Sequence, residues 1–283
     1  MDTRYETFIT LCRLMNYRKT SEEMNLTQPA VTRQIQSLEE ELKVRLFIYD
    51  HRKLKRTKAS VILENYILSL RHNYDCLREE LLEPEIKTIR VGATKTIGDY
   101  IIFDAVKKYL SDPNKTIVLR IDNTAALLED MKGSKLDFAI VEGIFDKSKY
   151  GYRLLRKDNF TGICSKDHRF SGKTVEFKDI YGEDIIIREN GSGTRDILER
   201  ELQNRGHSLD MFKRCIEISS FAMISDLVSD KIGISFTYDS VIKDRTDIGT
   251  FNVKGFELSH EFNIVWLRES KIPEEGEEFL QNI

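Results

Sequence analysis

TSEEMNLTQPAVTRQIQSLEEELKVRLF, residues 20–47, decides how the rest of the chain is read. Thr27 is a good helix N-cap, and Pro29 sits in the first turn, where its missing N–H costs nothing. Val31, Ile35, Leu38 and Leu42 recur at helical spacing and predict one buried stripe. Gln28, Pro29, Thr32, Arg33 and Gln36 are left on or near the opposite face, biased to the N-terminal half. Upstream, Tyr5, Phe8, Ile9 and Cys12 mark the apolar face of another helix. A short helix over about 18–24 follows, entered at Asn16 and broken at Asn25 and Leu26. Three short helices in this order predict a helix-turn-helix.

The exposed residues of the third helix suit a base-reading surface. Arginine bonds guanine bidentately, glutamine bonds adenine, and threonine and proline meet the thymine methyl. The N-terminal half of a recognition helix is where such contacts occur. Beyond it, Lys43, Arg45, Arg52, Lys53, Lys55, Arg56 and Lys58 face one acid, Asp50. A basic loop of this kind suits phosphate contact or minor-groove entry. The whole chain carries a net charge of −3, but its first 58 residues hold 12 Lys/Arg against 8 Asp/Glu.

Residues 26–47 resemble, almost without interruption, the signature of LysR-type transcriptional regulators: Gln-Pro-Ala-Val-Thr-Arg-Gln-Ile, then Leu-Glu, then Leu-Phe. The family's wing reads RKLKRTKAS here. Five positions depart from the pattern: Thr20 and Ser21 replace a small-residue Ala pair, Tyr49 an Arg, Arg56 a Leu and Ser60 a Gly. The resemblance implies that Gln28, Pro29, Thr32 and Arg33 read bases and that Arg52 enters the minor groove. It also implies a winged head, a linker helix, a two-lobed domain like periplasmic binding proteins, and assembly as a dimer or tetramer.

Downstream, Leu63, Ile67, Leu70, Tyr74, Leu77 and Leu81 are spaced 4, 3, 4, 3, 4, an a/d seam before Pro84. So narrow a stripe needs a partner, and a homodimer coiled coil is expected. That symmetry predicts a pseudo-palindromic site in double-stranded DNA.

From about residue 87 the pattern alternates strands (89–93, 116–121, 138–141, 161–165, 184–188, 215–218, 232–236, 262–266) with helices such as 101–110 and 194–204. Alternation predicts an α/β domain with a substantially parallel sheet. The expected division is 1–58 head, 59–86 linker and 87–283 effector domain. By resemblance, lobe I takes about 87–162 and 260–283, and lobe II 163–259. Ligands of open α/β sheets sit where strands hand over to helix N-termini. Three such junctions carry hydroxyls: Thr94 and Thr96 with Lys95; Ser192, Gly193 and Thr194; and Ser219 and Ser220. Free N–H groups there favour an anion, so a small anionic metabolite is expected. The resemblance adds Asn123 and Gly143 at neighbouring loops.

Other classes fit less well. NGSGT lacks the spacing of a nucleophile elbow around Ser192, and no phosphate-cradling glycine-rich loop is present, which argues against an enzyme. An exported solute-binding protein lacks its leader and would have no use for the DNA-reading segment. The four cysteines and five histidines are scattered without metal-ligand spacing, so no metal or cofactor is expected and the thiols read as buried. Cys164 and Cys215 keep thiol redox sensing as an alternative. A cytoplasmic regulator that also touches RNA polymerase is the expectation.

Overall fold

In the computed structural model the described residues are 2–51, 53–82, 84–142 and 145–283. The head begins with α1 (Thr3–Leu14), α2 (Tyr17–Glu23) and α3 (Gln28–Leu42). Each starts on a polar cap: Asp2 accepts from Arg4 N, Asn16 from Lys19 N, and Thr27 from Ala30 N. The chain turns between α2 and α3 at Asn25, φ +52°, a conformation asparagine tolerates. Phe8, Leu11, Val31, Ile35, Leu38 and Leu46 are buried together with Thr20 and Ser21, whose small side chains fit the tight packing of α2. Leu42 does not belong to the buried stripe. The helix ends beside it at Lys43, φ +54°, and Leu42 is exposed.

The basic loop is a hairpin, β1 (Phe47–Asp50) against β2 (Lys53–Arg56), in antiparallel register from Phe47↔Arg56 to Asp50↔Lys53. Buried Glu39 of α3 fastens it. One carboxylate oxygen accepts from Leu46 N (2.7 Å) and Phe47 N (3.2 Å), and the other accepts from Arg45 (2.9 Å).

The linker helix α4 (Lys58–Leu81) is capped by Thr57. It has two dry faces and one wet one. Ile67, 1% exposed, and Leu63 pack into the head's own core. Leu68 packs into the next domain among Leu127, Met131, Val141 and Val265. Leu63 and Ile67 are therefore not seam residues. The exposed apolar stripe runs Ile62, Tyr66, Leu70, Tyr74, Leu77 and Leu81. A spacing of four through its first half turns the stripe away from the head, because the head already occupies the face on which Leu63 and Ile67 lie.

Lobe I contains β3 (Lys87–Ala93), α5 (Lys95–Tyr100), α6 (Phe103–Tyr109), β4 (Lys115–Ile121), α7 (Thr124–Lys132) and β5 (Phe138–Glu142). A long strand, β6 (Tyr150–Ser165), crosses into lobe II. That lobe contains β7 (Thr174–Val175), α8 (Phe177–Ile180), β8 (Asp184–Ile187), α9 (Gly193–Asn204), β9 (Arg214–Glu217), α10 (Phe221–Ser229), β10 (Ser235–Tyr238), α11 (Asp239–Ile242) and β11 (Ile248–Val253). The chain returns along β12 (Leu258–Leu267) and ends in α12 (Glu274–Leu280).

The sheet is mixed, not substantially parallel. β3 pairs parallel with β4 and β5, and β8 with β9. β6 pairs antiparallel with β10, β11 and β12. The physical reason is the crossing itself. β6 leaves lobe I and β12 re-enters it, so the two run in opposite directions and pair from Leu258↔Phe160 to Leu267↔Tyr150. Nor are all the thiols buried: Cys12 and Cys164 are, Cys76 is half-buried, and Cys215 on β9 is exposed.

Candidate functional site

On the head, Gln28, Pro29, Arg33 and Gln36 are exposed on α3, and Thr32 is half-buried with its hydroxyl donating to Gln28 O (3.0 Å). Lys53 and Lys55 are exposed on β2, Lys55 paired with Asp50. Arg52 lies outside the described residues. The head thus exposes a polar helix surface on α3 and a basic strand edge on β2, and the hairpin is tied to α3 through Glu39. These are side chains of the kind that contact bases and flanking phosphates.

In the effector domain, β5 ends at Glu142, and its terminal residue sits between the lobes. Thr96 Oγ1 donates to Glu142 Oε1 (2.8 Å), and Glu142 N donates to Thr94 Oγ1 (3.4 Å). From lobe II the start of α9 arrives on the same carboxyl: a Cβ on Gly193 would stand 3.7 Å from Glu142 Cγ. The preceding turn is made at Gly191, φ +82°, which a residue with a side chain rarely adopts. Ser192 and Thr194 are buried and share a hydrogen bond (2.9 Å). Lys95 reaches across the lobes to Glu189 (3.1 Å). Glu189 is also held by both Nε and Nη2 of buried Arg188 (2.8 and 2.9 Å), whose guanidinium lies 4.1 Å from the Phe221 ring.

Capping separates the predicted residues. Asn123 caps α7 (to Ala126 N, 2.9 Å) and Ser220 caps α10 (to Met223 N, 3.3 Å). Both are exposed, as is Ser219. Thr94 and Ser192 occupy N-cap positions of α5 and α9 without a side-chain cap bond. The convergent set is therefore Thr94, Thr96, Ser192, Gly193 and Thr194, with Lys95 at the rim. Gly143 lies outside the described residues.

Glu142 itself was missed by sequence reading. It ends an apolar strand, FAIVE, and an acid there reads as a strand end turned to solvent. It is instead 4% exposed, and its Oε2 has no hydrogen-bond partner among the described residues. Burial pushes its carboxyl up to about 7, against the hydrogen bonds from Thr96 and Thr94 and the charge of Arg188, which pull the other way. At neutral pH it can hold a proton and donate it, or lose it and repel an anion.

Residues 3–60 match the profile of the bacterial regulatory helix-turn-helix protein, lysR family, and residues 83–283 that of the LysR substrate binding domain. The chain belongs to the LysR family. This LysR-type protein is thus a DNA-binding transcription regulator with an effector-binding domain. It is 26% identical over 254 residues to an uncharacterized HTH-type transcriptional regulator of Methanocaldococcus jannaschii, covering 88% of this chain and 86% of that one. Its fold matches a hydrogen-peroxide-bound cysteine-to-serine mutant of Corynebacterium glutamicum OxyR, with TM-score 0.58, 19% identity, and coverage of 99% and 91% of the two chains. It also matches the regulatory domain of Synechocystis CcmR in complex with 2-PG, with TM-score 0.61, 18% identity, and coverage of 69% and 94%. No helix among the described residues is long and apolar enough to cross a membrane.

Proposed function

We propose that this LysR-type regulator reads a pseudo-palindromic DNA site as a homo-oligomer and that a small anionic metabolite bound between its lobes sets its affinity for that site. The observation that carries the effector reading is Glu142, a buried carboxyl one oxygen of which has no partner among the described residues, where β5 meets the start of α9. An unsatisfied buried polar atom costs about 1–3 kcal/mol and is relieved by a ligand acceptor when the carboxyl is protonated. The hydroxyls of Thr94, Thr96, Ser192 and Thr194 and the free N-termini of α5 and α9 then hold the ligand's negative charge. Ligand chemistry is supported, in kind, by the CcmR complex with 2-PG.

Base reading is assigned to Gln28, Pro29, Thr32, Arg33 and Gln36, and phosphate or minor-groove contact to Arg52, Lys53 and Lys55. Dimerisation is assigned to Ile62, Tyr66, Leu70, Tyr74, Leu77 and Leu81. The division 1–58, 59–86 and 87–283 is supported by α4 opening at Lys58 and β3 at Lys87. In this reading the protein acts in the cytoplasm, beside RNA polymerase, as a regulator and not an enzyme; the Ser192 hydroxyl pairs with Thr194 (2.9 Å), which speaks against its use as a nucleophile. A thiol switch is disfavoured, since burial pushes Cys164 up to about 11 and raises Cys215 as well, opposite to what reactive thiolates need.

The test is thermal unfolding of the full chain against a panel of small carboxylates and phosphates. A ligand of the folded state raises Tm with the logarithm of its concentration. The shift should vanish in Thr96→Ala. No shift across the panel, or an equal shift in Thr96→Ala and Thr194→Ala, removes this cleft from the mechanism.

A further inference from the structure

We propose that His72, Cys76 and Asp137 form a binding site for a divalent transition metal, with zinc the best-fitting ion, at the joint between α4 and lobe I. His72 and Cys76 stand one helical turn apart on α4, so both side chains leave the same face. Asp137, at the entry to β5, comes from a different element. One donor atom from each lies within 4.8 Å of the others, the one such group among the described residues.

The His72–Cys76 edge already has the length an ion needs, and Asp137 would close onto it. His72 Nε2 and Cys76 Sγ are 3.6 Å apart. With Zn–N and Zn–S bonds of ordinary length and a tetrahedral angle, that edge is about 3.6 Å. Asp137 is fixed before any ion arrives: its Oδ2 accepts from Arg90 N (2.7 Å), and its Oδ1 lies 4.0 Å from Arg90 Nη1, a cation that a bound metal would have to displace. His72 and Asp137 are 3% and 5% exposed, too dry for an acid merely solvated on a surface. A cavity of about 300 Å³ opens beside them, with Asp75 and Glu79 on its wall. It leaves room for a fourth ligand, a water or Asp75. Two arginines, Arg78 and Arg90, share the cavity wall with these acids, and Arg90 is engaged by a double hydrogen bond to Glu79 (3.0 and 2.6 Å). Nitrogen, thiolate and carboxylate donors together suit zinc better than magnesium or calcium, which take oxygen alone. Without a metal, the same 3.6 Å contact is a thiol–imidazole hydrogen bond.

The location gives the site a consequence. Helix α4 carries the head, and it is tied to lobe I here and through Leu68, Arg71 (to Lys132 O, 2.7 Å) and Asn73 (to Glu269 O, 3.2 Å). A bound ion would clamp the helix to the lobe and thereby restrict where the head can stand. Metal occupancy and DNA affinity are then linked, and each alters the other by the same factor.

The experiment uses the full chain, stripped with a chelator and titrated with Co²⁺ as the spectroscopic probe. One equivalent per chain should saturate a thiolate-to-cobalt charge-transfer band, and Zn²⁺ should displace it. Cys76→Ser should abolish the band, and His72→Gln and Asp137→Asn should each weaken binding roughly tenfold or more. Cys215→Ser, which removes the exposed thiol, should leave the band intact. Zn²⁺ should raise Tm in the parent chain but not in Cys76→Ser. The proposal fails if no band saturates, if the band survives Cys76→Ser, or if it is lost in Cys215→Ser. Should Cys76→Ser not fold, His72→Gln and Asp137→Asn decide: unchanged Co²⁺ affinity in both overturns the site.

Discussion

Thr96 Oγ1 donates to Glu142 Oε1 at 2.8 Å, and Oε2 of the same buried carboxyl has no partner among the described residues. That asymmetry makes Glu142 a pH-dependent element of the cleft. Its folded-state value is about 7 against an ordinary 4.5. The folded chain therefore holds the proton over a range in which the unfolded chain releases it. The resulting stability is present below about 4.5 and is lost as pH rises through 7. Two and a half pH units correspond to at most about 3–4 kcal/mol. Urea unfolding at pH 5 and pH 8 should show Glu142→Gln gaining on the parent chain at the higher pH. Equal losses in both would mean that Glu142 is not the titrating group.

The same group should govern effector affinity. Above pH 7 the carboxylate repels an anion, and below it the neutral acid donates to one. Affinity for any anionic effector found by the thermal screen should fall up to roughly tenfold per pH unit above 7. It should be flat in Glu142→Gln over the same range. Calorimetric titration at three pH values measures this directly, and a parallel slope in the variant contradicts the assignment.

Arg33 is exposed on α3, in the half of the helix that reads bases in this architecture. With a site selected by the protein itself from random DNA, Arg33→Ala should cost about 1–3 kcal/mol in specific binding. Binding to unrelated DNA at the same salt concentration should change far less. Equal losses on both would reduce Arg33 to a phosphate contact.

Glu39 holds the hairpin by accepting two backbone N–H groups on one oxygen. Glu39→Ala leaves both donors buried without a partner, at a cost of about 1–3 kcal/mol. Thermal unfolding should register that loss, and DNA affinity should drop because β1 and β2 lose their anchor to α3. An unchanged Tm would mean that water replaces the carboxylate.

Along α4, two substitutions should separate packing from assembly. Leu77→Asp, on the exposed stripe, should dissociate the oligomer with little change in the fold of the subunit. Ile67→Ala, in the head's core, should destabilise by about 2–5 kcal/mol and leave the subunits associated. Sedimentation with parallel melts distinguishes these outcomes, and a reversed pattern would restore Ile67 to the seam.

Local signals alone carried the head. The caps Asn16 and Thr27, the Asn25 turn and the Val31–Ile35–Leu38 stripe act within a few residues of themselves, and the folded helices start and turn where those residues stand. Strand–helix alternation likewise announced the α/β domain. Tertiary packing decided the rest. Periodicity showed one a/d stripe on α4 from Leu63 to Leu81, but not that the head would cover its first two positions. That depended on Phe8, Leu11 and Leu46, far away in the chain. The first ten residues of β6 are rich in charge, mostly half-buried or exposed, and do not alternate, so nothing local marked them as strand before β12 lay beside them. Whether a hydroxyl at a helix start is a cap or a ligand donor turned on one hydrogen bond, present for Ser220 and absent for Ser192. Glu142 and Asp137 looked like ordinary strand-end acids, because burial is set by what packs against a residue from elsewhere in the chain, and a linear sequence carries no record of that.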